Sequence, residues 1–146
     1  MFAIRAATLA DLAQVLPRTR ALNDHEGIAI SDAHLEVALR RLLGDPTLGG
    51  VWLVERDGAT IGYAIATFGY DLEFAGRDAW LTELWIDVEE RSSGAGAAAL
   101  TALEDELRAR DVRALHLQVR PDNAARRVYE RAGFTVVPRT IMSRRL

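Results

Sequence analysis

Residues 80–100 read WLTELWIDVEERSSGAGAAAL, and the reading of the whole chain turns on this stretch. Its first half is a strand, with Leu84, Ile86 and Val88 at period two among aromatic and β-branched neighbours. Glu89-Glu90-Arg91 breaks the strand, and the small-residue loop Ser92-Ser93-Gly94-Ala95-Gly96 runs straight into an alanine-rich helix. A strand, a glycine loop and a helix in that order turn free backbone N–H groups and the positive end of a helix dipole towards an anion. Glycine has no Cβ, so the main chain at Gly94 and Gly96 can come close to a bound group. Arg91 adds a fixed charge suited to phosphate oxygens. The stretch therefore reads as a phosphate or pyrophosphate cradle, with a simple β–α connection packed by small residues as the plainer alternative.

Upstream of it, Phe2–Arg5 is a short strand, and Thr8-Leu9-Ala10-Asp11 is a capping box with Asp in the Glu position. The helix that follows is expected to run to about Ala21, with Leu12, Val15 and Leu16 on one face and Asn23-Asp24-His25-Glu26-Gly27 as a polar loop. Ser31-Asp32 opens a second helix carrying Leu35, Leu39, Leu42 and Leu43, which Gly44 and Pro46 stop. Val51–Arg56 and Thr60–Tyr70 are strands joined by the Asp57-Gly58 hairpin turn, and Asp71–Asp78 is a loop. Downstream, the helix after Gly94 continues to about Arg110, burying Leu100, Leu103 and Leu107. Ala114–Val119 is the next strand, which makes this piece a β-α-β crossover with two parallel strands. Ala124–Ala132 is a short helix ended by Gly133, and Phe134–Val137 with Thr140–Arg144 is expected to form a closing hairpin around Pro138-Arg139.

Composition narrows the class of function. The chain has 146 residues, 49% apolar and 27% charged, which is ordinary for one soluble α/β domain spanning residues 1–146. Cys is absent, which excludes disulfides, a thiol nucleophile and a Cys-based metal site. The three His, at positions 25, 34 and 116, show no ligand spacing, so no metal is expected. No apolar run approaches the roughly 20 residues of a membrane span and no signal-peptide pattern opens the chain, so a cytoplasmic protein without a membrane partner is expected. A formal net charge of −3 gives no indication of a nucleic-acid surface.

Three known patterns compete for the glycine loop. The P-loop needs a lysine after its last glycine, and the chain has no lysine. The dinucleotide fingerprint is nominally met by Gly94-Ala95-Gly96-Ala97-Ala98-Ala99, but only about fifty residues follow, too few for the remaining strands of that doubly wound domain. The third pattern fits best. Leu84 to Gly96, LWIDVEERSSGAG, resembles motif A of the Gcn5-related N-acetyltransferases (GNAT), with Val88 where that family usually has proline and Ser92 where it often has glycine. Neither change removes a backbone donor. Asn123 to Phe134, NAARRVYERAGF, is similar to a second motif of the same family, keeping the spacing of Ala125, Tyr129, Gly133 and Phe134 but with Asn123 one residue closer to Tyr129. The element order β-αα-βββ-α-β-α-ββ is the family's as well.

The resemblance implies a GNAT fold, a mixed and mostly antiparallel sheet whose central parallel pair splays for the cofactor. It also implies acetyl-CoA as the acyl donor, and an acetyl group transferred directly to the primary amine of a small, cationic molecule. By the same resemblance, Arg91, Ser92, Ser93, Gly94, Ala95 and Gly96 hold the pyrophosphate. The main chain at Trp85, Ile86 and Val88 pairs with the pantetheine arm. Asn123 and Arg126 stand beside the cofactor, and Tyr129 donates a proton to the thiolate. Arg126 is equally readable as part of a solvated helix face. Glu83, the one carboxylate of the central strand, is the candidate base, since burial there would raise its pKa. A looser resemblance to the spermidine/spermine N-acetyltransferase branch places that branch's substrate-binding glutamate on Thr82. The sequence leaves open which sheet face Glu83 takes, because one residue of register reverses it unless a bulge intervenes. Glu26, Tyr70 and Asp71 are candidates for flanking the amine, with solvated loop charge as the alternative. A non-catalytic acyl-CoA sensor stays as the second reading, and a homodimer remains open.

Overall fold

A computed structural model of the chain describes residues 1–146. Eleven elements of the chain fold into one five-stranded sheet with helices on both faces. The strands are β1 (Phe2–Ala6), β2 (Gly49–Arg56), β3 (Ala59–Asp71), β4 (Gly76–Ile86) and β5 (Val112–Leu117), and they lie in that spatial order. The first four pair antiparallel, while β4 and β5 run parallel. The helices are α1 (Leu12–Glu26), α2 (Asp32–Gly44), α3 (Ala95–Arg108) and α4 (Arg126–Arg131). No helix is long and apolar enough to cross a membrane.

The strand sequences explain the layers. In β2, Val51 and Leu53 point to one face and Trp52 and Val54 to the other, all of them buried. A strand covered on both sides reads as a continuous apolar run, as VWLV does here. Leu12 and Val15 of α1, Leu39 of α2, Leu53, Tyr63 and Ile65 form the core on the first face. Leu100, Leu103 and Leu107 of α3 pack with Trp52, Ala64, Ala66 and Leu81 on the second. Burying each of those leucines contributes about 1.5–3 kcal/mol. The capping box forms as expected: the Asp11 carboxylate accepts from the Thr8 N–H at 2.8 Å and also holds the Arg5 guanidinium at 2.9 Å. These bonds hold the Asp11 carboxyl down at about 2.

Four expectations need correction. Helix α1 does not stop near Ala21 but continues to Glu26, because the Asn23 amide donates to the Thr19 carbonyl and Arg20 pairs with Asp24 one turn on. It ends at Gly27, whose φ of 69° provides the left-handed cap. The expected loop Asp71–Asp78 shrinks to the turn at 72–75, since β3 and β4 continue as a hairpin to the pair Asp71↔Gly76. Strand β5 begins two residues earlier than expected, at Val112. The closing hairpin is absent. Residues 135–146 pair with no strand, their side chains Val136, Val137, Ile141 and Met142 are exposed, and Pro138 removes one donor a ladder would need. The observed order is therefore β-αα-βββ-α-β-α, mixed and mostly antiparallel as the resemblance implies, with its parallel contact between β4 and the edge strand β5.

Candidate active site

The site begins at an irregularity in β4. Ala66 pairs with Leu81 and Ile65 with Glu83, so Thr82 is an extra residue without a partner across the ladder. This β-bulge answers the question of register. Without it, Glu83 would follow the alternation of Leu81 onto the α3 face, among Leu100, Leu103 and Leu107. With it, Glu83 shares the α1/α2 face with Tyr63 and Ile65. The Thr82 hydroxyl donates to the Ile65 carbonyl at 3.3 Å, within the bulge itself.

The Glu83 carboxylate accepts a hydrogen bond from the Tyr63 hydroxyl at 2.9 Å. Burial raises the Glu83 pKa, and the Tyr63 bond partly opposes that by favouring the charged form. Tyr63 has no exposed surface, and its own pKa is pushed up by burial and by the neighbouring carboxylate. Tyr63 is the residue that sequence reading missed. Its only signal was a phenol at an inward position of an otherwise apolar strand, where a hydroxyl needs a partner.

At the same bulge β4 parts from β5. The last parallel pair is Leu81↔Leu117, and from Thr82 to Ile86 the β5 side of β4 has no strand beside it. The last turn of α1 lies across this opening. His25 stands edge-on to the Trp85 ring at 6.3 Å, and Glu26 reaches Arg120, which follows β5, at 3.8 Å. Arg18, two turns earlier along α1, fixes Asp87 with bonds of 2.6–3.1 Å, and Asp87 also accepts from the Trp85 indole at 3.2 Å. The helix and the end of β4 are thereby tied together.

Beyond β4 the chain makes a short 3-10 turn, Val88–Glu90, and enters the glycine loop. Ser92 has φ 61° and Gly94 has φ 89°, so the loop curls through two left-handed positions before Ala95 begins α3. The main-chain N–H groups from Ser92 to Ala97 donate to no protein acceptor, and Ala98, bonded to the Gly94 carbonyl at 3.0 Å, is the first that does. A Cβ built on Gly94 or Gly96 would meet nothing within 4 Å. The loop is thus an open nest of donors at a helix N-terminus. The Ser93 hydroxyl donates to the Glu90 carbonyl at 2.6 Å and braces it. Arg91 lies across the Trp85 ring, 4.5 Å from its centroid, and donates to the Ile86 carbonyl at 3.0 Å. Its charge therefore sits on the strand end and not over the loop. Val88 is exposed on the turn.

On the α3 face of the sheet, Tyr129 of α4 packs against the core and edge-on to Phe134, with ring centroids 5.9 Å apart. Burial raises its pKa, and its hydroxyl has no hydrogen-bond partner in the protein. Asn123 is engaged locally, its side-chain oxygen accepting from the Ala125 N–H at 2.9 Å to start α4. Arg126 pairs with Glu130 along the helix at 2.8 Å. Tyr70 and Asp71 are not at the opening, which corrects the sequence reading. Tyr70 pairs with Arg77, six residues before Glu83 along β4, so about 20 Å separates them at 3.3 Å per residue. Tyr70 is exposed there, and Asp71 caps the hairpin by accepting from the Glu73 N–H at 2.9 Å.

The comparisons with known proteins agree with this geometry. No curated protein is significantly similar to the chain. Among solved structures, an integron cassette protein from the mobile metagenome of Cole Harbour Salt Marsh is 27% identical, covering 98% of this chain and 90% of its own, with a TM-score of 0.87. A ribosomal-protein-alanine N-acetyltransferase from Brucella melitensis biovar Abortus shares the fold at 17% identity, with 100% and 99% coverage and a TM-score of 0.81. So does a predicted acetyltransferase from Clostridium acetobutylicum, solved with acetyl-CoA, at 23% identity, 99% and 96% coverage and a TM-score of 0.79. The family model described as the acetyltransferase (GNAT) family matches residues 17–134, a span from α1 to the end of the Tyr129 motif, and this chain accordingly belongs to that family and is an acetyltransferase.

Proposed function

We propose that residues 1–146 form one catalytic domain that moves an acetyl group from acetyl-CoA to the primary amine of a small, cationic substrate in the cytoplasm. The observation that carries this reading is the opening beside β4. One wall of it is the unpaired edge from Thr82 to Ile86, with Glu83 on that strand, and it ends at the free N–H groups of Ser92 to Ala97. The fit to acetyl-CoA is supported by the clear space over Gly94 and Gly96, where a pyrophosphate would lie against the donors. The edge of β4 offers main-chain groups to an extended amide-bearing arm, as an added strand would use them. Bound acetyl-CoA supplies an acyl thioester.

The protein's part is proton management and positioning. An amine is protonated at neutral pH and attacks only after losing a proton. Glu83, its pKa raised by burial, is the group placed to accept that proton, and Tyr63 holds its carboxylate in place. As the amine nitrogen bonds to the acyl carbon and the carbon–sulfur bond breaks, the Tyr129 hydroxyl gives its proton to the leaving sulfur, and the second proton that the new amide nitrogen sheds returns through solvent to the Tyr129 phenolate. A phenol with no other hydrogen-bond partner is free for that role. The negative charge of Glu83 favours a cationic substrate, the Asp24 and Glu26 carboxylates at the end of α1 being already paired with Arg20 and Arg120.

The test is a panel of small primary amines with acetyl-CoA and thiol detection, alongside calorimetry with acetyl-CoA and with NAD. The expected result is acetyl-CoA binding, no NAD binding, and turnover that Glu83→Gln lowers by about 10²–10⁴ in kcat/KM. Binding without turnover across the panel would replace catalysis by acyl-CoA sensing. Absence of acetyl-CoA binding would overturn the reading altogether.

A further inference from the structure

At the opposite end of β4 lies a cluster of side chains that acetyl transfer does not use. Asp78 on β4 has two diagonal neighbours on its own face of the sheet. One is Asp71 at the end of β3, where Asp71 pairs with Gly76. The other is His116 on β5, which pairs with Trp80. Three strands thus bring two carboxylates and one imidazole together, each with a ligand atom within 4.8 Å of the others. His116 Nε2 lies 3.2 Å from Asp78 Oδ2.

The surroundings are those of a built site. The Asp78 side chain is only 9% exposed, no hydrogen-bond donor but the His116 imidazole stands against it, and a second carboxylate, Asp71, lies within 4.8 Å. A carboxylate is costly to bury without partners. Room for it comes from Gly69, where a Cβ would stand 2.6 Å from Asp78 Oδ1. The imidazole is held between two rings, Trp80 at 5.0 Å and Phe74 at 5.7 Å between centroids, an apolar shell that fixes its direction. Asp71 is on the rim, bound through one oxygen to the Glu73 N–H and free to turn the other inward.

We propose that Asp71, Asp78 and His116 form a binding site for a first-row divalent metal ion such as Zn²⁺, which clips the edge strand β5 to the β3–β4 hairpin. The donor set selects the class. Imidazole suits Zn²⁺, Co²⁺ and their neighbours over Mg²⁺ and Ca²⁺, while two carboxylates neutralise the dication. Tetrahedral bonds of about 2.0–2.1 Å need ligand atoms about 3.3 Å apart, which a side-chain rotation of the rim residue Asp71 supplies. Water completes the coordination. His116 is far from the two aspartates in the chain, which is why spacing alone gave no sign of the site. Along β4, Asp78 is five residues from Glu83, about 16 Å at 3.3 Å per residue, so the ion acts on the fold and not on the acyl group.

The experiment is zinc titration of the untagged protein by calorimetry, with Co²⁺ visible absorption as a second readout of coordination. The expected result is one equivalent of Zn²⁺ bound, a rise in melting temperature on adding it, and a Co²⁺ band in the visible. His116→Ala, Asp78→Asn and Asp71→Asn should each weaken zinc binding at least about tenfold and abolish the thermal shift, while His34→Ala, on α2, leaves both unchanged. Should Asp78→Asn fail to fold, His116→Ala and Asp71→Asn decide. Absence of saturation by Zn²⁺ at about 1 mM, or wild-type affinity in His116→Ala, would overturn the proposal and leave an imidazole–carboxylate contact alone. Since no readout involves acetyl-CoA, failure here is separate from failure of the acetyltransferase reading.

Discussion

Tyr63→Phe isolates the hydrogen bond that poises the candidate base. The ring is fully buried among Leu12, Val15, Leu53 and Ile65, so phenylalanine keeps the packing and removes only the 2.9 Å bond to Glu83. A hydrogen bond to a charged group is worth about 1.5–3 kcal/mol, and 1.36 kcal/mol is a factor of ten, so the balance between protonated and ionised Glu83 should move roughly 10- to 100-fold towards the protonated form. In a pH profile of kcat/KM the acidic limb should therefore move to higher pH. The rate on that limb should fall by the same factor, with the high-pH plateau within a few-fold of wild type. Stability carries the matching sign. A carboxyl whose folded pKa lies above its unfolded value binds more protons in the native state, so stability falls as pH rises from the ordinary carboxylate range through the raised value. Losing the Tyr63 bond deepens that fall, and melts at pH 5 and pH 8 should differ more in the variant than in the wild type. The reasoning is refuted if the acidic limb of Tyr63→Phe overlies that of wild type. It is refuted equally if Tyr63→Phe still alters the profile when Glu83 is already Gln, because the two must act as one unit.

Tyr129→Phe should leave acetyl-CoA affinity within a few-fold and lower kcat about ten- to a hundredfold, since the ring still packs while the proton for the leaving sulfur is gone; steady-state kinetics with calorimetry separates the two effects. Gly96→Val should abolish acetyl-CoA binding with unchanged circular dichroism, because its branched side chain enters the clear space above the loop donors while the backbone there is ordinary helix. Gly94 is the poorer test, as its φ of 89° would strain any replacement. Asp11→Asn should cost about 1–2 kcal/mol at neutral pH, less than its full lowering to about 2 would imply, because Arg5 is half in solvent. That contribution is present above the ordinary carboxylate range and is lost as pH falls from about 4 towards 2, so wild type and variant should converge in acid melts.

Much of this was legible because it is written locally. The capping box at Thr8–Asp11, the hairpin turn at Asp57-Gly58 and the glycine loop each depend on a few adjacent residues, and each forms where the sequence places it. The bulge at Thr82 was not legible. Its cause is the fit of Glu83 beneath Tyr63, two residues 20 positions apart, against the fit of Leu81 beneath α3. Alternation along a strand does not say which residue will be skipped. The end of α1 was misjudged because Asn and Asp are poor helix formers on average, whereas here Asn23 is buried and bonded within the helix. The expected C-terminal hairpin failed for a related reason. Period-two apolar residues in 134–142 suggest strands, but a strand needs a partner edge, and Pro138 and the arginines around it give that segment little to pair or bury.

The position of β5 also bears on how the protein opens. Strands β2, β3 and β4 are consecutive hairpins with short loop closure, whereas β5 joins only after the 25 residues between Ile86 and Val112 have crossed the sheet, and it is held on one side alone. Contacts closed over longer loops form later, and units with fewer neighbours open more readily. Amide hydrogens of Val112–Leu117 should thus exchange before those of β3, through openings that leave the antiparallel meander intact. The seam between β4 and β5 therefore parts before the meander of β2, β3 and β4 does, so a ligand lying in it stabilises the sheet by holding an edge strand in place.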